Sequence, residues 1–256
     1  MNSLKSLMAV PIFFILCLTL ATFSFADETK GTVNPTEIMK KMDKTISGFE
    51  DQEMVMTMII TGEDGENKSY DFWLKQKGEK RLVHFTSGEI KGMSVLTLDR
   101  NLSHVYLPGF KRVRRIAASN MKQTMAGSDF TNDDMASTNW STMCDASLES
   151  ETDDAWYLRC TPKEDYTTPY NYLVFKVLKD GYYQSEVTYF NSDNIAYKKQ
   201  TASKMKEWAE GVKRFSYVTM ENLITKHTTV LEIHEFIANQ GLKDSLFTVR
   251  QLKWGR

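Results

Sequence analysis

Cations and acids crowd two short stretches in the middle of the chain. Lys111, Arg112, Arg114 and Arg115 place four cations in five positions, and Gly127-Ser128-Asp129-Phe130-Thr131-Asn132-Asp133-Asp134 follows soon after. A basic run of this density suits an acidic protein surface or anionic lipid headgroups, and pairing with the nearby acids is the local alternative. On a strand, 112 and 114 project to one side and 111, 113 and 115 to the other, so one acidic segment cannot hold all four cations. Thr131 with Asp134 three residues on is a capping pattern that predicts a short helix.

The other distinctive chemistry is apolar. Met54, Met56 and Met58 alternate with Val55, Thr57 and Ile59, and Phe72 and Leu74 on the next strand match the methionine face by parity. Methionine is unbranched and polarizable, so three in register line a face without fixing its shape. Such a face suits either an ordinary core or a cavity for an apolar guest. Chemistry of other kinds is not signalled. His84, His104, His227 and His234 lie in strand-like runs without metal-ligand spacing, and no G-x-S-x-G elbow, phosphate-cradling glycine loop or Cys-x-x-Cys occurs. No catalytic residue, metal or cofactor is expected.

The elements that position these residues follow from periodicity. Asn34-Pro35-Thr36-Glu37, with Ile38, Met42 and Ile46 at four-residue spacing, predicts one opening amphipathic helix. From Glu53 the period becomes two. Strands are expected over 54–60, 69–75, 81–86, 93–98, 102–107, 140–148, 155–160, 172–178, 182–190, 195–205, 212–220 and 224–237. Residues 108–139 read as a long irregular stretch, and Asp180-Gly181 as a two-residue hairpin turn. About ten to twelve strands point to a mainly β chain built on one curled antiparallel sheet or barrel. A transmembrane barrel fits poorly, because Lys75, Lys77, Arg81, Lys176, Lys198 and Lys213 fall within strands, on candidate outward faces.

The chain of 256 residues is 25% charged and 41% hydrophobic with a net charge of −1, which gives no global reason to expect nucleic acid. Residues 1–26 carry Lys5, an apolar stretch and a Ser24-x-Ala26 ending, and so read as a signal peptide cleaved after Ala26 rather than a retained anchor. Export leaves Cys144 and Cys160 in an oxidising compartment, where they can pair. A turn centred on Thr152 sets Cys144 opposite Cys160 and Leu148 opposite Trp156. Reduced, buried cysteines are the alternative.

The run Lys111-Arg112-Val113-Arg114-Arg115-Ile116, followed by Gly127-Ser128-Asp129-Phe130 and the acids Asp133-Asp134, resembles a branch of the outer-membrane lipoprotein-sorting family, the LolA-like periplasmic carriers. The resemblance extends over residues 27–256, read as one domain, and includes the closing Asp244-Ser245-Leu246-Phe247-Thr248-Val249-Arg250. It implies a strongly curved antiparallel sheet, an incomplete β-barrel, with helices covering its concave face around a cavity for acyl chains. On that reading Met54, Met56, Met58, Phe72 and Leu74 bind lipid. Asp129, Phe130, Asp133 and Asp134 belong to a lid, which in that family an arginine latches, a role assigned to no residue here. Lys111, Arg112, Arg114 and Arg115 dock a partner. The partners implied are lipid or lipoprotein acyl chains, an inner-membrane transporter or export complex, and an outer-membrane acceptor. The rival is a non-lipid structural or interaction protein of the cell envelope with a packed core.

Overall fold

Asn34 caps the first helix, α1 (Pro35–Ser47), by accepting from the N–H groups of Thr36 and Glu37 at 3.1 and 3.3 Å. Pro35 needs no partner at the first helical position, because its nitrogen carries no hydrogen. Ile38, Met39 and Met42 bury the apolar face of α1. This computed structural model describes residues 33–99, 102–117, 120–136 and 139–253. The expected signal peptide lies outside the described residues. The elements below all belong to the compact unit Asn34–Arg256.

One sheet of thirteen strands forms the body. Its first half contains β1 (Asp51–Thr61), β2 (Asn67–Lys77), β3 (Lys80–Phe85), β4 (Ser94–Asp99), β5 (Leu102–Leu107) and β6 (Arg112–Ile116). The second half contains β7 (Cys144–Glu151), β8 (Ala155–Pro162), β9 (Tyr172–Leu178), β10 (Gln184–Phe190), β11 (Ala196–Ala209), β12 (Val212–Asn222) and β13 (Thr228–Ala238). The spatial order is β6-β5-β4-β3-β2-β1-β13-β12-β11-β10-β9-β8-β7. Neighbours are antiparallel hairpins except at β1–β13, where the first strand meets the last and joins the halves. The sheet is curved and does not close: β6 and β7 are its two edges. Short helices α2 (Asn132–Ala136) and α3 (Trp140–Met143) follow β6, and α4 (Val249–Leu252) follows β13.

Burial alternates as the period-two pattern requires. Met54, Met56, Met58 and Ile60 are buried, and they pair across the sheet with Leu74, Phe72, Tyr70 and Lys68. The opposite face has its own smaller core, in which Phe247 and Leu252 of the C-terminal segment cover Leu82 and Leu96. Buried Asp51 fixes the crossing to that segment, accepting from the N–H groups of Gln240, Gly241 and Leu242 at 2.8, 2.9 and 2.9 Å.

Four expectations are corrected. Residues 112–116, placed in an irregular stretch, form edge strand β6. Residues 140–143, expected as strand, form α3, because the carboxylate of Asp43 on α1 accepts from the N–H groups of Trp140 and Ser141 at 3.1 and 2.9 Å and so caps a helical turn. The Asp180-Gly181 hairpin is wider than two residues, since the Leu178 N–H reaches the Tyr183 carbonyl at 2.9 Å. Cys144 and Cys160 are joined, with Cα atoms 5.2 Å apart, yet they are not opposite. Cys144 faces Pro162, and Cys160 faces Ala146. The turn closes from Thr152 N–H to the Ala155 carbonyl, not about Thr152, and a bulge at Leu148/Ser150 shifts the register again. The disulfide therefore runs diagonally across the pair, a reach that adjacent strands allow.

Candidate functional site

The inner face of β1 and β2 opens onto a cavity of about 160 Å³ lined by Met54, Met56 and Leu74, with Leu231 and Ile233 of β13 beside them. A second space of about 130 Å³ adjoins it through Ile46, Gln184, Gln200, Arg214 and Val218. Met58 and Phe72 share the inner face but are packed, Met58 beside Tyr70 and Phe72 against the Phe85 ring at 5.3 Å between centroids. A cavity of roughly 150 Å³ holds one benzene, so an acyl chain of ordinary length needs methionines or the covering segment to move.

That covering segment is residues 120–136, and its acids face inward. Thr131 and Asp134 form a reciprocal cap on α2: the Thr131 N–H reaches Asp134 Oδ2 at 2.7 Å and the Asp134 N–H reaches Thr131 Oγ1 at 3.1 Å. Phe130 is buried against the cavity. Each acid is then tied to the second half of the chain, through strands β11 and β13 or the loop between β8 and β9. Asp129 Oδ2 accepts from Thr229 Oγ1 and contacts His227 Nδ1, each at 2.7 Å. Asp133 Oδ2 accepts from Tyr166 at 2.8 Å and Thr168 at 3.0 Å. Asp134 accepts from Lys198 Nζ at 2.6 Å and from the Tyr170 hydroxyl at 2.6 Å. The side chains of Lys198 and Asp134 are 5% and 3% exposed, so this ion pair is sealed from water.

None of these acids meets the basic run among the described residues, so the local pairing of the two stretches does not occur. Lys198 and Arg81, assigned by sequence to outward faces, instead lie on the inner side. A strand cation turned inward requires a buried acceptor, and the covering segment supplies one for each. Arg81 donates to the Met135 carbonyl at the end of α2. It also donates through Nε to Gln76 Oε1 at 3.0 Å, Gln52 Nε2 donates to the same oxygen at 2.8 Å, and Arg214 Nη1 donates to Gln52 Oε1 at 3.0 Å. An unbroken chain thus links Arg214, Gln52, Gln76 and Arg81. Burial lowers the pKa of both arginines to about 10, with the charge of Arg214 adding to the effect on Arg81. Sequence reasoning passed over Gln52, Gln76 and Arg214 and placed Arg81 on an outward face. Their signal was parity, since Gln52 continues the Met54, Met56, Met58 face and Gln76 continues Phe72 and Leu74.

Burial also pushes the Asp133 carboxyl up to about 6, with Asp134 adding to the rise. The folded state therefore keeps this proton to higher pH than the unfolded chain, where a free aspartate releases it near about 3.9. Its contribution to stability is lost as pH rises from about 4 to about 6. We expect Asp133→Asn, whose amide oxygen can accept from the same hydroxyls, to gain on wild type over this interval in thermal melts. Parallel pH profiles would show that Asp133 does not titrate there.

The basic run sits at the β6 edge. Arg112 and Arg114 are exposed on one side of the strand, and Arg115 pairs in register with His104 on β5. Lys111 precedes the strand at φ 50° and ends the turn that presents Phe110, 69% exposed, with the Arg114 guanidinium 5.8 Å from its ring centre. Cations on an unpaired edge also discourage strand addition.

A family model described as an uncharacterized protein matches residues 77–254. No curated protein matches the sequence. Among solved structures, a domain described as an outer membrane lipoprotein-sorting protein from Vibrio parahaemolyticus superposes with a TM-score of 0.77 at 22% identity, over 86% of this chain and 98% of that one. A DUF1329 family protein from Desulfovibrio piger gives 0.78 at 23%, over 86% and 100%. A LolA superfamily protein from Nitrosomonas europaea gives 0.72 at 18%, over 86% and 99%. At these identities the likeness is one of fold.

Proposed function

We propose that this chain, which belongs to the uncharacterized-protein family matched over residues 77–254 and has the LolA-like fold, is a non-enzymatic periplasmic carrier of lipid or lipoprotein acyl chains. The observation that carries this reading is a methionine-lined cavity on the inner face of an open sheet, beneath a segment held by polar contacts instead of apolar packing alone. An acyl chain crossing water needs an apolar enclosure, and each buried methylene contributes about 0.8 kcal/mol. Unbranched methionines accommodate guests of different shape. The lid bonds can open together because they converge on a few residues. Lys198, Tyr170 and Arg81 hold α2 from beneath, and Arg81 fills the role of a latch. The small cavity favours one other reading, an envelope interaction protein whose sheet has a packed core.

Purified protein should accelerate transfer of a fluorescent palmitoyl phospholipid from donor to acceptor vesicles. Transfer no faster than the spontaneous rate would remove the carrier reading.

Docking belongs to the β5–β6 tip in this proposal. Exposed Phe110 among Lys111, Arg112 and Arg114 suits an anionic bilayer surface, where an aromatic inserts and cations meet headgroups. The transporter that would load the carrier lies in the same inner membrane. Exposed charges contribute about 0–1 kcal/mol each to folding. The double variant Arg112→Glu/Arg114→Glu should therefore melt with wild type yet bind vesicles rich in phosphatidylglycerol more weakly, by about 30-fold or more, at low salt, from roughly 1 kcal/mol for each of the two cations lost. Equal binding would exclude this tip as the docking site.

A further inference from the structure

Arg81 and Arg214 both line the main cavity, and among the described residues neither has a carboxylate partner. Their acceptors are neutral: Gln76 and the Met135 carbonyl for Arg81, Gln52 and the Ile46 carbonyl for Arg214. The acids nearby are already committed. Asp134 is held by Lys198 and Tyr170, and Asp133 by Tyr166 and Thr168. The cavity thus combines an apolar wall with two cations that no carboxylate among the described residues contacts.

Such an arrangement is costly for a protein that merely packs a core, because taking a guanidinium out of water costs several kcal/mol unless a counter-charge is supplied. Apolar residues of similar volume would pack as well at lower cost. A neutral acyl guest would gain nothing from the two cations. An amphiphile with an anionic head offsets the cost. Its oxygens take charge-assisted bonds from the guanidinium forks, which match carboxylate and phosphate geometry. Its chain then lies along Met54, Met56, Leu74 and Ile233.

Resting on the carrier reading, we infer that the cavity is selective for acyl amphiphiles bearing an anionic oxygen head, a carboxylate or a phosphate monoester, with Arg81 and Arg214 as its binding residues. The Gln52–Gln76 pair positions both, since each glutamine oxygen accepts from one arginine and the amides bond to each other at 2.8 Å. The selected head sits beside the lid, because Arg81 also holds Met135.

The test is displacement of neutral N-phenyl-1-naphthylamine from the full mature chain by oleate, oleoyl lysophosphatidate and oleyl alcohol, each below its aggregation threshold. Oleate or the lysophosphatidate should compete about tenfold or more better than the alcohol, the scale of one charge-assisted bond. Whichever of the two wins identifies the head as carboxylate or phosphate. Arg81→Gln and Arg214→Gln should each reduce the ratio of anion to alcohol affinity, read within each variant, whereas Arg214→Lys should keep part of it. Equal competition by all three ligands in wild type would overturn the inference while leaving the carrier reading in place. So would a preference that survives both glutamine variants. Failure of the naphthylamine and every oleyl compound to bind would remove the carrier reading and the inference together.

Discussion

Lys198→Met should destabilise the protein by about 3–5 kcal/mol, the usual cost of removing one partner from a sealed ion pair. The variant leaves Asp134 facing Tyr170 without its cation in a site where the two charged side chains are 5% and 3% exposed. The loss extends beyond one bond, because Lys198 also donates to the Tyr170 hydroxyl at 2.6 Å and to the Asp129 carbonyl at 3.3 Å. For a domain of this size the shift in melting temperature is on the order of 10 °C. The double variant Lys198→Met/Asp134→Leu should recover most of the loss, since it removes both charges instead of stranding one. Hydrogen exchange in Lys198→Met should rise first over residues 120–136, the segment these bonds hold. A cost below about 1 kcal/mol, the range of exposed pairs, would show that the lid is open to water in solution and that the sealed network is not its resting state.

Met56→Lys should weaken acyl binding by about 100-fold, because an ammonium facing hydrocarbon costs about 3 kcal/mol. Met56 is 5% exposed, lies on the cavity wall and has Phe72 and Ile233 as its cross-strand neighbours. A lysine suits the test better than a glutamate, which could pair with Arg81 or Arg214 and mimic an anionic guest. In a carrier, water can enter the cavity and the long stem can turn its charge toward that water, so the fold survives. In a packed core the same change leaves an isolated charge without solvent, and the protein unfolds. Vesicle transfer and a thermal melt on one preparation separate the two. Unfolding together with a wild type that transfers no lipid would favour the packed-core rival.

Much of the architecture was legible because two-residue periodicity survives wherever one face of a strand is buried. Parity groups Met54, Met56 and Met58 of β1 with Phe72 and Leu74, but which face of β1 turns inward was not legible because Val55 and Ile59 are apolar too, and α1 follows from Asn34, Pro35 and Glu37. Register was less legible. The Cys144–Cys160 hairpin carries a bulge and a turn shifted toward its second strand, and neither leaves a signature in residue type. Helix α3 was hidden because its cap comes from Asp43, nearly a hundred positions away. Strand β6 was hidden by its composition, since an edge strand made of arginines lacks the apolar alternation that marks a strand.

The site was harder to read than the fold. Asp129, Asp133 and Asp134 stood out as a cluster, but their partners Lys198, Tyr166, Tyr170, His227 and Thr229 come from three distant segments. Arg81 and Lys198 resembled surface cations because a charge on a strand usually faces water. Parity with buried neighbours was the stronger indicator, and Gln52 and Gln76 carried the same mark.

Mass spectrometry of lipids extracted from protein purified from its native compartment without detergent tests most directly whether the cavity carries an acyl lipid. A carrier of anionic acyl amphiphiles should hold a near-stoichiometric acyl lipid, enriched in species with an anionic head over the bulk membrane and absent from Met56→Lys material prepared alongside. Native protein devoid of lipid, with the cavity still empty after incubation with membrane vesicles, would contradict it.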